Sequence, residues 1–169
     1  MHEQRFECVD HPERSGDFTV IECADWVNVV ALTDASGEHP EIVLIEQFRY
    51  GTAENTLELP GGMVDPGEDP VRAGVRELLE ETGYRGENAR VIGRLDANPA
   101  ILTNRVYTVL IENATRTDEQ SLDEHEQIAV RTVPLDGVPD MVASGEISHT
   151  VVIAGLFRAL DELGWVRAP

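Results

Sequence analysis

Apolar residues recur along this chain in two periods. Trp26–Thr33 (WVNVVALT) and Glu41–Phe48 (EIVLIEQF) are short runs rich in β-branched and aromatic residues, the composition of strands. Further strand-like runs are Phe18–Cys23, Leu57–Leu59, Ala89–Leu95, Arg105–Ile111 and Ile128–Val133. The turn cluster Ser36–Pro40 (SGEHP) joins the two long runs, which predicts a hairpin or neighbouring strands there. Helical spacing appears at Pro70–Thr82, Pro139–Ser144 and Ser148–Leu163; in the last, Val151, Val152, Ala154, Gly155, Phe157 and Leu160 supply an apolar side. The order of strands, helix, strands, helix predicts an α/β fold with a mixed sheet covered on both faces.

The first helix has the clearest ends. Asp69 can accept from first-turn N–H groups, and Pro70 suits the first helical position. Gly83 can take the left-handed conformation that closes a helix. At ~100° per residue, Val71, Val75, Leu78 and Leu79 share one side, while Glu77, Glu80 and Glu81 lie opposite. Ala73 and Gly74 fall near the carboxylates, leaving room for a loop or ligand. Like charges three and four apart destabilise an isolated helix by roughly 0.2–0.5 kcal/mol per pair. Oxygen-binding divalent cations would offset that repulsion. A solvated acidic face is the bland alternative. Arg76 can pair with Glu80 one turn on or reach back to Glu68.

Gly62, Glu68, Arg76, Glu77, Leu78, Glu80, Glu81, Gly83 and Tyr84 follow the pattern G-x5-E-x7-R-E-U-x-E-E-x-G-U, where U is bulky and apolar. This resembles the signature of the Nudix hydrolases, which cleave nucleoside diphosphates linked to another moiety. The resemblance implies a Nudix-type α/β/α sandwich with a mixed central sheet, in agreement with the periodicity. A chain of 169 residues fits one domain spanning 1–169.

Charge narrows the partners. The chain carries 13 arginines, no lysine and 32 acids, a formal charge of −19. Such a surface repels nucleic acid and anionic membrane. It also repels a diphosphate, so the site itself must supply cations. Cys8 and Cys23, the only cysteines, are too few for a disulfide framework or a zinc site. No signal segment and no run long enough to span a bilayer is seen, so a cytoplasmic protein is expected.

Outside the signature, the chain looks most like the pyrophosphatases of ADP-ribose and other nucleoside diphosphate sugars. Glu46–Gly51 (EQFRYG) is similar to a segment whose arginine holds substrate phosphates, the role implied for Arg49; pairing with a nearby acid is its alternative. Pro99 stands near a proline of that subclass, but Asn98-Pro99-Ala100 departs from the usual Ser-Pro-Gly, which leaves other sugars open. Asp25–Asn28 and Asn104–Tyr107 resemble segments of sugar-nucleotide-hydrolysing relatives; packing is the first reading of Trp26, with stacking on a base as the alternative, and Arg105 could contact a phosphate or sugar. Ser121–Ile128 (SLDEHEQI) resembles the acidic loop that carries the catalytic base. Glu124 falls on the base position, with Glu126 the close alternative or an extra metal ligand.

The resemblance implies Mg²⁺, with Mn²⁺ able to substitute, held by Glu77, Glu80, Glu81 and the Gly61 carbonyl and oriented by Arg76. The implied reaction is hydrolysis of the diphosphate of ADP-ribose, or second a GDP-mannose-like sugar. A housecleaning hydrolase of nucleoside triphosphates is the same-class alternative. A non-catalytic nucleotide-sugar sensor is the other, and the fully filled signature argues against it. Relatives of this subclass are commonly homodimers, a role expected for strands in residues 1–35.

Overall fold

The structure, a computed structural model, describes residues 5–11, 14–124 and 126–166, with side chains described from residue 19 onward. In chain order the elements are β1 (Arg5–His11), β2 (Arg14–Glu22), β3 (Trp26–Ala31), β4 (Glu41–Arg49), β5 (Glu54–Glu58), β6 (Gly61–Met63), α1 (Pro70–Thr82), β7 (Tyr84–Asp96), β8 (Arg105–Arg116), β9 (Ile128–Pro134), a 3-10 turn at Leu135–Gly137, α2 (Val138–Ser144) and α3 (Thr150–Glu162). The expected ends of α1 match the observed ones. Asp69 accepts from the Val71 and Arg72 N–H groups, and Gly83 closes the helix at φ 73°.

Strand β3 is the spine. Its residues alternate between faces, as the two-residue period of a strand requires. Val27, Val29 and Ala31 pack with Ala73 and Leu78 of α1. Val30 and Leu32 pack with Val152, Leu156 and Ala159 of α3. The two clusters lie on opposite sheet faces, which gives the α/β/α layering and explains the continuous apolar run. The sheet order is β6-β3-β8-β7, with β3 and β8 parallel and the other pairs antiparallel. A three-stranded antiparallel sheet, β5-β4-β9, stands beside it.

Two expectations are corrected here. Strands β3 and β4 do not form a hairpin; they lie in different sheets, joined by a single bridge between Leu32 and Ile42. β3 pairs with β6 and β8, whereas β4 pairs with the next strand, β5, and with β9. The buried face of α1 is also not the Val71–Val75 side. It comprises Ala73, Gly74, Leu78, Glu81 and Thr82, and Val75 is 39% exposed. The small residues let the helix approach the sheet closely: a Cβ on Gly74 would stand 3.2 Å from Val109 Cβ. They make room for the sheet rather than for a ligand.

Near the N-terminus, β1 and β2 form a separate two-stranded antiparallel sheet. The main chain of Ile21 reaches the loop before β8, donating to Ile101 and accepting from Thr103. Cys23 is a free thiol, and the Cys8 side chain lies outside the described residues. Among the described residues, no helix is long and apolar enough to cross a membrane.

Candidate active site

Close approach of α1 to the sheet carries two of its carboxylates into the turn between β5 and β6. Glu81 is buried and accepts from the Gly61 N–H at 2.7 Å. Glu77 lies against Gly62 so tightly that a Cβ there would stand 2.5 Å from its Oε1. The signature glycine therefore acts by leaving space for a carboxylate. Arg76 binds Glu68 through Nε and Nη2, at 3.2 and 3.0 Å, and donates to the Met63 carbonyl. Its Nη1 reaches Glu77 at 2.8 Å and Glu80 at 3.1 Å. Both pairings expected of Arg76 are present.

The acidic loop is anchored to the same helix. Gln120 Nε2 donates to the carbonyls of Glu81 and Ile128, and the Ser121 N–H donates to the Glu80 carbonyl. Glu126 folds back to accept from the Asp123 N–H at 3.1 Å.

These groups surround a cavity of about 500 Å³. Trp26, Arg49, Gly61, Arg76, Glu77, Glu80, Glu81 and Glu126 all line it. Glu124 does not line it and is exposed at the loop turn. Pro99 lies in an exposed turn away from the cavity. Arg105 is also outside, with Nη1 3.1 Å from Asp96 and 3.1 Å from the Thr103 carbonyl. Arg49 lines the cavity and pairs in a fork with Glu58, the acid pairing considered as its alternative. Sequence reading missed Asp65 on the wall and Glu58 and His149 behind it, while Gln47 and Asp123, also on the wall, lie in segments it singled out without giving them a role. Asp65 had a signal, since it lies inside the signature loop; Glu58 and His149 had none.

Burial sets the electrostatics. It pushes the Glu81 carboxyl up to about 8 from an ordinary value of 4.5; the Gly61 N–H opposes this, while Glu77 and Glu126 add to it. Burial also raises Glu77, against the pull of Arg76.

The donor set fits a hard divalent ion. Two carboxylates converge on one glycine turn, and one of them occupies space that any side chain at 62 would fill. Among the described residues, no three His, Cys, Asp or Glu side chains form a ready-made cage. A hard divalent ion can be held by one or two carboxylates, with water and substrate phosphate completing its shell.

A pH dependence of stability follows. In metal-free protein below about pH 4.5, Glu81 is protonated whether folded or unfolded, and it adds no slope. Between about 4.5 and 8 the folded state holds protons that the unfolded state has released, so stability falls as pH rises. Glu77 acts in the same direction. Thermal melts in chelator should show Tm falling from pH 5 to 8. Glu81→Gln should flatten that fall, and added Mg²⁺ should reverse it.

Comparison with known proteins agrees with this geometry. The NUDIX domain profile matches residues 25–153, most of the chain. The chain belongs to the Nudix family. Similar proteins include the ADP-ribose pyrophosphatase of Bacillus subtilis (strain 168), 32% identical over 122 residues that cover 72% of this chain and 64% of that protein. The ADP-sugar pyrophosphatase of Mus musculus is 38% identical over 90 residues, 52% of this chain and 41% of that protein. This Nudix chain thus spans less than two thirds of the length of either relative. A crystal structure of an ADP compounds hydrolase shares the fold, with a TM-score of 0.76 at 21% identity over 96% of this chain and 95% of that one.

Proposed function

We propose that this Nudix protein hydrolyses the diphosphate bond of ADP-ribose or a related nucleoside diphosphate sugar, releasing a nucleoside monophosphate and a sugar phosphate. The observation that carries the reading is the convergence of Glu77 and Glu81 on the Gly61–Gly62 turn, across one cavity from Arg49 and Glu126. The names of the Bacillus and mouse relatives favour ADP-linked sugars.

Glu77, Glu81 and the Gly61 carbonyl would hold Mg²⁺, with Glu80 as a further ligand directly or through water, and Mn²⁺ able to replace it. Bound there, the metal would neutralise the diphosphate and lower the pKa of the attacking water. Arg76 orients Glu77 and Glu80 from behind. Arg49 offers its remaining guanidinium donors to phosphate oxygens. Trp26 gives a flat wall for a base or sugar.

Between the two loop acids, Glu126 is the better general base, because it lines the cavity and its charge reaches Glu77 and Glu81. Water attacks one phosphorus in line, its proton passes to Glu126, and the bridging P–O bond breaks toward the departing phosphate. The substrate roles considered for Pro99 and Arg105 find no support at this cavity.

The β1–β2 ribbon favours a homodimer, since a lone two-stranded hairpin is marginal in water and gains from a second surface.

Mass analysis of products from a panel of nucleotide sugars and nucleoside triphosphates in Mg²⁺ tests the reading. ADP-ribose should give AMP and ribose 5-phosphate. Turnover of triphosphates alone would favour the housecleaning alternative, and an inert protein would favour a sensor.

A further inference from the structure

Glu58, at the end of β5, is only 3% exposed, yet no metal or substrate role falls to it. Four donor contacts meet on its two carboxylate oxygens. Arg49 donates through Nε at 2.8 Å and Nη2 at 2.7 Å, Thr56 through Oγ1 at 2.5 Å, and His149 Nδ1 stands 3.1 Å away. Burial alone would raise this carboxyl; the bonds from Arg49, His149 and Thr56 outweigh it and hold the group well below the usual carboxylate range. An ionised carboxylate only accepts, so the hydrogen of the shared bond sits on His149 Nδ1.

His149 comes from far away in sequence and from an unexpected place. It occupies the N-cap of α3, yet its side chain makes no capping bond. Ser, Thr, Asp and Asn fill that position when capping is the requirement. Here the side chain turns from its own helix toward a strand 91 residues earlier. The result is a three-member line, His149–Glu58–Arg49, that runs from the start of α3 to the cavity wall. The guanidinium is pinned along its Nε–Nη2 edge, and Nη1 is left for the cavity. The His149 ring also borders two side cavities, of about 600 and 390 Å³, that share Trp26 with the main one.

We propose that His149 is a positioning residue for the phosphate-binding arginine: it fixes the Glu58 carboxylate and, through it, the direction in which Arg49 faces the substrate. The inference rests on the diphosphate reading for its consequence in binding, and on Arg49 alone for its structural content. His149 need not touch a phosphate. Its loss should weaken the grip on the diphosphate while leaving the carboxylates of α1 and their metal untouched.

Two measurements on the full chain test this. The first is calorimetric titration of a methylene-bridged, non-hydrolysable ADP-ribose analogue in Mg²⁺. The second is NMR of the arginine Nε–H groups in ¹⁵N-labelled protein, with the Arg49 signal identified by its absence in R49K. His149→Ala should weaken analogue binding by about tenfold, raise KM more than it lowers kcat, and speed exchange of the Arg49 Nε–H. Tm should fall only modestly, because Arg49 and Thr56 still meet the Glu58 carboxylate and no cap is lost. His149→Gln, whose side-chain amide can donate to Glu58 and which is not a preferred cap, should restore affinity and slow exchange. Wild-type affinity and an unchanged Arg49 signal in H149A would overturn the proposal, as would a Gln variant that restores neither. If the wild-type protein ignores the analogue, the diphosphate reading falls instead. The Arg49 signal then decides on its own: faster exchange in H149A supports the positioning role, and unchanged exchange overturns it.

Discussion

Glu81→Gln should abolish Mg²⁺-dependent hydrolysis, lowering kcat by about 10³-fold or more, because metal stabilisation of phosphoryl charge contributes several kcal/mol. The fold should survive. Glutamine is close in shape, and its amide oxygen can still accept from the Gly61 N–H that Glu81 now engages. Metal-free protein at pH 8 should be at least as stable as the wild type, because the variant no longer buries an ionisable group there. Steady-state turnover and chelator-treated melts, measured side by side, separate these effects. Full turnover by this variant in Mg²⁺ would remove Glu81 from the metal site.

The second large effect divides the two loop acids. Glu126→Gln should lower kcat by about 10²–10⁴-fold, the usual contribution of a positioned base, with little change in Mg²⁺ affinity. Glu124→Gln should stay within a few fold of wild type, since that side chain is exposed and outside the cavity. The comparison needs kcat for both variants at saturating substrate, with metal binding measured separately. A large loss at Glu124 alone would return the base to the position the resemblance implies, and would mean that the loop rearranges when substrate binds.

The helix and its carboxylates were legible in the sequence because their signals are local. A cap, a closing glycine and charges at fixed offsets all lie within a few turns of one another, and α1 appears with the expected ends. The buried side of that helix was not legible by counting large apolar residues. Proximity to the sheet favours the smallest side chains, so Ala73 and Gly74 face inward while Val75 stays out. Strand partners were hidden for a different reason. The parallel register of β3 with β8 joins residues about eighty positions apart, and nothing in either run specifies the other. The same holds for Glu58 and His149, each unremarkable until the fold brings them together. For the loop acids the resemblance put Glu124 on the base position with Glu126 the close alternative; a turn closed by the Glu126 N–H on the Asp123 carbonyl leaves Glu124 exposed and Glu126 on the cavity wall.

Arg76 gives the carboxylate helix one further property. Its guanidinium lies against Glu77 and Glu80 while remaining tied to Glu68 and to the Met63 carbonyl. It holds each of the two helix carboxylates by one oxygen, Glu77 Oε1 and Glu80 Oε2. On the proposed reading the other oxygen of each can turn to a divalent ion while the arginine keeps its bonds. Both side chains are then aimed before the metal arrives, and little rotamer freedom remains to be lost when it binds.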